Sequence, residues 1–155
     1  MNQYINKPTP AFVAASWAAL FSGGAAYGIG LFNADMLLNE KGYYLVLILY
    51  GLFSAVSLQK IIRDKIEGMH VTHIYYGLCW ASVAICIALL AVGLFNANLA
   101  LSEKGFYIMA FLLSLFGAVA VQKNIRDMEY LRQHNQSAHL ELKNTPSIAE
   151  SEHND

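Results

Sequence analysis

The stretch Gly30–Asp64, GLFNADMLLNEKGYYLVLILYGLFSAVSLQKIIRD, occurs a second time as Gly93–Asp127, GLFNANLALSEKGFYIMAFLLSLFGAVAVQKNIRD. The two copies align at a constant offset of 63 residues without a gap, and 20 of the 35 aligned positions are identical. The identities gather in two charged marks, GLFNA…EKG and QK.IRD, with apolar sequence between them. The sequence therefore predicts a duplicated unit in which charged marks delimit apolar segments.

Long runs without any Asp, Glu, Lys or Arg surround these marks. The hydrophobic fraction is 56 % and the charged fraction 14 %, and the uncharged runs are 11–34, 42–59, 74–102 and 105–122. A helix that crosses a bilayer needs about 20 apolar residues, with about 17–25 tolerated. Helices are favoured over strands because a β-barrel would show alternating segments of about ten residues, which are absent. We therefore expect an all-α membrane protein with four transmembrane helices.

The duplication divides the chain into two tandem helical hairpins. We expect an N-terminal segment at 1–10, hairpins at 11–64 and 74–127, a connector at 65–73, and a polar tail at 128–155. Gly68 is the expected helix stop in the connector. The tail is expected to stay helical for one or two turns past Asp127 and to be largely disordered afterwards. Each repeat crosses twice, so the two hairpins are parallel repeats rather than inverted ones.

The distribution of Lys and Arg predicts the orientation. Eight of these residues fall on the side that holds both termini and the connector, and two, Lys41 and Lys104, fall in the opposite turns. Cytoplasmic segments carry the excess of positive charge. We therefore expect both termini on the cytoplasmic side of the membrane.

The two EKG turns have two interpretations. Asn39 and Ser102 are the expected N-caps of the helices that follow, and Glu40 and Glu103 suit the positive ends of those helices. The neighbouring aromatic residues are expected to form an interfacial belt: Tyr43, Tyr44, Phe106 and Tyr107. In the alternative interpretation, Glu40–Lys41 and Glu103–Lys104 come together as a ligand or partner site. The first interpretation, a re-entry turn copied twice, accounts for every residue type.

The QK.IRD marks also have a structural and a functional interpretation. On a continuing helix, Lys60 is expected to face Asp64, and Lys123 is expected to face Asp127. Cations at a helix C-terminus are favourable and also enforce topology. The functional alternative is contact with anionic lipid headgroups through the cationic residues of the two marks, which are Lys60, Arg63, Lys123 and Arg126.

Small residues at helical spacing predict close packing. Gly24 and Gly28 form one small-xxx-small pair, and Gly77 and Ala81 form another. Such pairs let two helix backbones approach closely. We expect them to mediate packing between the two hairpins or between copies of the chain.

The sequence offers no recognisable catalytic or metal-binding constellation. It lacks a nucleophile beside a base and a glycine-rich phosphate loop, and Cys79 and Cys86 lie seven residues apart in one apolar run. His70 and His73 have no further ligands at metal-binding spacing. The ten Lys and Arg are too dispersed for nucleic acid. We expect no enzymatic activity, no metal and no cofactor.

The repeated motifs suggest a family. GLFNADMLLNEKGYY…QKIIRDK followed by GLFNANLALSEKGFY…QKNIRD closely resembles the YiaA/YiaB family of bacterial inner-membrane proteins, over roughly residues 8 to 127. The resemblance implies a two-helix domain present twice and an inner-membrane location. It implies no activity or site.

The predicted function is that of a non-enzymatic membrane protein that associates with itself or with an envelope partner, including under envelope stress. The alternative is a small oligomeric transporter or channel for an ion or small solute. The absence of an ionisable side chain at mid-membrane depth counts against a coupled transporter. The expected partners are membrane lipid, a second copy of the chain and an envelope protein.

Overall fold

The computed structural model describes residues 8–144, and four α-helices make up nearly all of this part of the chain. They are α1 (Pro10–Asn33), α2 (Leu38–Ile66), α3 (His73–Asn96) and α4 (Leu101–Asn144). Each helix contains a window long and apolar enough to cross a membrane. The prediction of an all-α protein with four membrane-spanning helices is confirmed.

Local chemistry fixes the helix ends. The Thr9 hydroxyl accepts a hydrogen bond from the Phe12 N–H at 3.3 Å, and Pro10 occupies the first helical position of α1. At the end of α2, Gly68 adopts a φ of 77°, and the Met69 N–H donates to the Asp64 carbonyl at 2.9 Å. This is the arrangement of a Schellman motif, which favours glycine because of the positive φ. The predicted stop at Gly68 is confirmed.

The helices pair across the repeats rather than within them. α1 lies against α4 and α3 lies against α2, whereas α1 and its own hairpin partner α2 touch little. α2 and α4, the corresponding second helices of the two repeats, meet at the centre of the bundle. Tyr44 and Tyr107 are 63 residues apart in sequence, and their rings stack there with centroids 6.0 Å apart. A pseudo-twofold axis therefore runs between α2 and α4.

The two ends of the bundle are named here by their sequence marks. The outer end carries the two EKG turns at the starts of α2 and α4. The inner end carries the two QK.IRD marks, at Gln59–Asp64 on α2 and at Gln122–Asp127 on α4.

Glycine contacts and a buried hydrogen bond hold α1 against α4. A Cβ atom added at Gly23 would lie 2.7 Å from the Ser114 backbone nitrogen, and one at Gly117 would overlap the backbone of Leu20. The Asn124 side-chain amide donates to the Ser16 hydroxyl at 3.0 Å, and both side chains are buried. The α2–α3 contact has buried Ile61 and Cys79 at the positions that correspond to Asn124 and Ser16. The duplicated interfaces have thus diverged, one polar and one apolar.

The glycines predicted to mediate packing have open space around them in the described chain. A Cβ atom at Gly24, Gly28 or Gly77 would meet nothing within 4 Å, and Ala81 is exposed. Packing between the hairpins therefore uses other small residues, such as Gly23 and Gly117. Packing of the predicted face against a second copy stays a prediction.

α4 is longer than the sequence suggested. It continues to Asn144, beyond the expected one or two turns past Asp127. Its 17 residues beyond Asp127 extend about 25 Å at 1.5 Å per residue. The segments 1–7 and 145–155, which include the remainder of the predicted disordered tail, lie outside the described residues.

Candidate functional site

The glutamates of the outer turns bind the starts of their own helices. The Glu40 carboxylate accepts the Leu37 N–H at 2.9 Å, and the Glu103 carboxylate accepts the Ala100 N–H at 2.7 Å. Each glutamate is the third residue of its helix and satisfies an amide that has no partner within the helix, as the glutamate of a capping box does. α2 and α4 begin at Leu38 and Leu101, one residue before Asn39 and Ser102. The prediction that Asn39 and Ser102 are the N-caps is therefore wrong.

The lysines of the same turns bind the ends of the preceding helices. Lys41 Nζ donates to the Phe32 carbonyl at 2.9 Å, and Lys104 Nζ donates to the Phe95 carbonyl at 3.4 Å. These carbonyls belong to the last turns of α1 and α3, where a cation is favourable. Each Glu-Lys pair thus joins the end of one helix to the start of the next. These contacts are the ones expected of a re-entry turn.

The two outer turns line separate clefts. Glu40 lines a cleft of about 660 Å³ between the start of α2 and the end of α3. Glu103 lines a smaller cleft of about 330 Å³ between the start of α4 and the end of α1. The two Glu-Lys pairs therefore lie at two different clefts and do not come together in one site.

The aromatic residues behind these turns form part of the core. Tyr44 and Tyr107 are each only 3 % exposed, so the prediction that they belong to an interfacial belt is wrong. Tyr43 and Phe106 stay partly exposed, as predicted for a belt. The Tyr27 hydroxyl donates to the Tyr44 carbonyl at 3.0 Å, a contact that sequence reasoning missed.

Tyr43 also connects the two repeats. Its hydroxyl donates to the Leu89 carbonyl at 2.7 Å, and its ring lies against Gly93. In the other repeat, the ring of Phe106 lies against Gly30. The two glycines are repeat equivalents, and each leaves the room that an aromatic ring from the other repeat occupies.

At the inner end, one ion pair joins α2 to α4. Arg63 contacts Glu67 on its own helix, and one of its guanidinium nitrogens lies 3.5 Å from the Asp127 carboxylate. Lys123 Nζ lies 3.1 Å from the same carboxylate, which confirms the predicted Lys123–Asp127 pair. The predicted pair between Lys60 and Asp64 is wrong: it is absent from the ion pairs among residues 8–144, although the equivalent Lys123, which is also exposed, does pair with its aspartate.

Four polar atoms of the inner marks are buried without a hydrogen-bond partner in the described chain. They are Oε1 of Gln59, Oε1 of Gln122, Oδ1 of Asn124 and Nε of Arg126. The two glutamines are repeat equivalents, 63 residues apart. Buried polar groups are usually paired, so unpaired ones need an explanation. Among the charged residues that the sequence analysis singled out, Arg126 is the one in the described chain that has a buried side-chain atom without a hydrogen-bond partner.

Metal-binding chemistry has no visible site in the described part of the chain. Within residues 8–144, no group of three or more His, Cys, Asp or Glu side chains is placed to hold a metal ion. Cys79 and Cys86 are both free thiols and both buried.

Comparison with known proteins identifies the repeat. The model of the yiaA/B two helix domain matches the chain twice, at residues 12–64 and 75–127. Inner membrane protein YiaA of Escherichia coli (strain K12) is 59 % identical over 127 residues, which cover 82 % of this chain and 88 % of that protein. Uncharacterized membrane protein YubF of Bacillus subtilis (strain 168) is 40 % identical over 68 residues, 43 % of this chain and 78 % of that protein.

No solved structure matches the chain. The family model covers both repeats, and the Escherichia coli relative covers most of the chain at high identity. Together with the four apolar helices, these matches make the protein a multi-pass inner-membrane protein. The chain belongs to the YiaA/B family and carries its two-helix domain twice.

Proposed function

We propose that this protein is a non-enzymatic inner-membrane protein that acts through association in the plane of the membrane, with a second copy of itself or with an envelope partner. A role under envelope stress is one form of this function. The proposal rests mainly on the glycine face of α1, formed by Gly24 and Gly28, which has open space around it in the described chain. It is supported by the charged residues of the outer turns, which already have structural partners.

The glycine face is the observation that carries the proposal. Gly23 faces inward against Ser114, whereas Gly24 and Gly28 have no atom near the position of a Cβ. α1 therefore has two small-residue surfaces. The one at Gly23 packs against α4, and the one at Gly24 and Gly28 packs against nothing in the described chain. Small residues at four-residue spacing let another transmembrane helix approach closely. This surface is suited to a helix of a second copy or of a partner protein.

The charged residues of the outer turns give the proposal indirect support. Glu40 and Glu103 cap helix starts, and Lys41 and Lys104 cap helix ends. An active site usually holds groups whose bonding is incomplete or whose protonation is perturbed. These four side chains already have structural partners, so they favour an anchoring role over a catalytic one.

Crosslinking in native membranes tests the association. The wild-type chain is expected to give crosslinked species, and replacing Gly24 and Gly28 together with Leu should abolish them, because Leu fills the approach surface. Ile29→Leu, at a neighbouring position that is 62 % exposed, is the matched control and should leave the crosslinks unchanged. A double variant that folds, inserts and still crosslinks like wild type would contradict the proposal.

A growth assay in cells tests the proposed role under envelope stress. A strain that lacks the protein is expected to grow poorly under membrane-perturbing stress, and the double glycine variant should fail to restore growth. If the double variant restores growth, the stress phenotype does not depend on Gly24 and Gly28.

We also propose that both termini and the inner end lie in the cytoplasm. The support is the charge asymmetry, with eight Lys and Arg residues on that side and two on the other. Alkaline-phosphatase fusions after Lys41 and Lys104 should be active, and fusions after Lys65 and Asp127 should be inactive. The reverse pattern of activity would invert the topology.

The transporter or channel alternative has less support. Along the α2–α4 seam, Tyr44, Ile48, Tyr107 and Phe111 are buried and fill the centre of the bundle. A conducting pathway would require these side chains to move or a passage between copies. Solute flux through liposomes that contain the purified protein would move this alternative ahead of association.

A further inference from the structure

The two arginines of the inner marks are repeat equivalents in unequal surroundings. Arg63 forms ion pairs with Glu67 and Asp127. Arg126 forms none within residues 8–144, and its Nε is buried without a hydrogen-bond partner. Arg126 also lies within electrostatic range of the like-charged Arg63. The duplication has therefore left one guanidinium with less compensation than the other.

A single difference between the repeats accounts for much of this inequality. Glu67 stands four residues after Arg63, one helical turn away. The residue four positions after Arg126 is Tyr130, which carries no charge at neutral pH. The second repeat thus lacks an acid at this position, and Glu129, three residues after Arg126, forms no ion pair with it.

The carboxylates near Arg126 already have other roles or are not engaged. Asp127 pairs with Arg63 and Lys123, and Glu67 pairs with Arg63. Asp64 is the repeat equivalent of Asp127, but the reciprocal Arg126–Asp64 ion pair is not formed. An anion from outside the chain would supply the missing partner of Arg126.

The depth of Arg126 matches that of lipid phosphates. The uncharged run of α4 ends at Gln122, and Arg126 lies one turn, about 6 Å, further along the helix. The polar headgroup layer adds about 5–8 Å on each side of the hydrocarbon core. Arg126 is therefore placed at the level of the headgroups at the inner end of the bundle.

We propose that Arg126 is a binding residue for a phosphate group at the inner end of the α2–α4 seam, in the place that the Glu67 carboxylate occupies in the first repeat. Guanidinium groups bind phosphate oxygens through short, charge-assisted hydrogen bonds. The phosphate belongs either to the headgroup of an anionic phospholipid or to a soluble phosphate.

Native mass spectrometry of the full chain in detergent tests the proposal. Phosphatidylglycerol is expected to bind in preference to phosphatidylcholine, and Arg126→Gln should weaken phosphatidylglycerol binding roughly tenfold, because a hydrogen bond between charged groups is lost. Arg132→Gln is the control, since Arg132 is an exposed arginine further along the same helix. It should leave binding nearly unchanged.

A second variant keeps Arg126 and supplies the missing carboxylate. Tyr130→Glu places an acid one turn from Arg126, so phosphatidylglycerol binding should fall as it does in Arg126→Gln. A further experiment adds inorganic phosphate to the protein with phosphatidylglycerol bound. If phosphate displaces the lipid from wild type but not from Arg126→Gln, the site is supported and its ligand can be a soluble phosphate. Equal binding of the two lipids without phosphate competition, or undiminished phosphatidylglycerol binding by Tyr130→Glu, would overturn the proposal.

Discussion

Gly23 and Gly24 are neighbours on α1 but have opposite surroundings. Gly23 is buried against the backbone of Ser114, and Gly24 has open space around it. A few residues farther along the same interface, the Asn124 amide reaches the Ser16 hydroxyl in a buried hydrogen bond. In membranes such bonds contribute about 0.6 kcal/mol on average, so their main effect here is to fix which faces of α1 and α4 meet.

The glycine pair gives a prediction at this scale. Gly23→Ala should destabilise the bundle by about 1–3 kcal/mol, because its Cβ would lie 2.7 Å from a backbone atom that cannot easily move. Gly24→Ala is the matched control and should be neutral or stabilising by up to about 1 kcal/mol, since Ala favours helix. Unfolding of the two variants in mixed detergent micelles measures the difference. Equal stability would mean that α1 and α4 are farther apart than described.

At the scale of the elements, each hairpin turn is closed by one acid and one base. The glutamate satisfies an amide at the start of the second helix, and the lysine satisfies a carbonyl at the end of the first. Both contacts use groups that every helix end leaves unpaired, which explains why EKG is kept at the same place in both repeats. The inner marks differ, because the ion pair between Arg63 and Asp127 joins two helices of different repeats.

The capping role predicts a specific mutational pattern. Glu103→Ala should lower the free energy of unfolding by about 0.5–2 kcal/mol, because the Ala100 N–H loses its acceptor. Glu103→Gln should keep most of the stability, since an amide oxygen also accepts this bond. Thermal unfolding in detergent compares both variants with Ser102→Ala, which should change little. A large loss in Glu103→Gln would show that the negative charge, rather than the hydrogen bond, is what the turn needs.

At the scale of the whole molecule, the crosswise pairing makes the two hairpins depend on each other. α1 finds its main partner in the second repeat, and so does α2. An isolated hairpin would therefore expose the faces through which α1 meets α4 and α2 meets α3. The chain resembles a dimer of hairpins that a connector has joined into one polypeptide.

This architecture predicts that the protein can be divided at Gly68 and still assemble. When residues 1–67 and 68–155 are produced together with different tags, each half should co-purify the other from membranes. Asn124→Leu should weaken this co-purification, because it removes a hydrogen bond between the halves. The apolar equivalent Ile61→Leu is the control. Halves that insert stably but purify separately would contradict the crosswise pairing.

The sequence by itself determined the four spans, the duplication and the chemistry of the turns. The spans follow from uncharged runs of bilayer length, and Gly68 and the EKG turns act through contacts within a few residues. Contacts between residues far apart in the sequence were harder to predict. The ion pair between Lys123 and Asp127, four residues apart, was predictable, whereas the one between Arg63 and Asp127 was not. That pair and the lack of a partner for the buried Nε of Arg126 depend on how α2 meets α4.

Only the tertiary structure decided which face of each helix is inside. Gly23 and Gly117 are in the core, whereas Gly24, Gly28 and Gly77 have open space around them. Tyr44 and Tyr107, which the sequence predicted in an interfacial belt, lie in the centre of the bundle. The physical reason is that lipid tails and a protein interior are both apolar. Hydrophobic periodicity, which marks the buried face of a soluble helix, therefore does not distinguish the two faces of a membrane helix. Close packing and a few buried hydrogen bonds make that choice, and both depend on the partner helix.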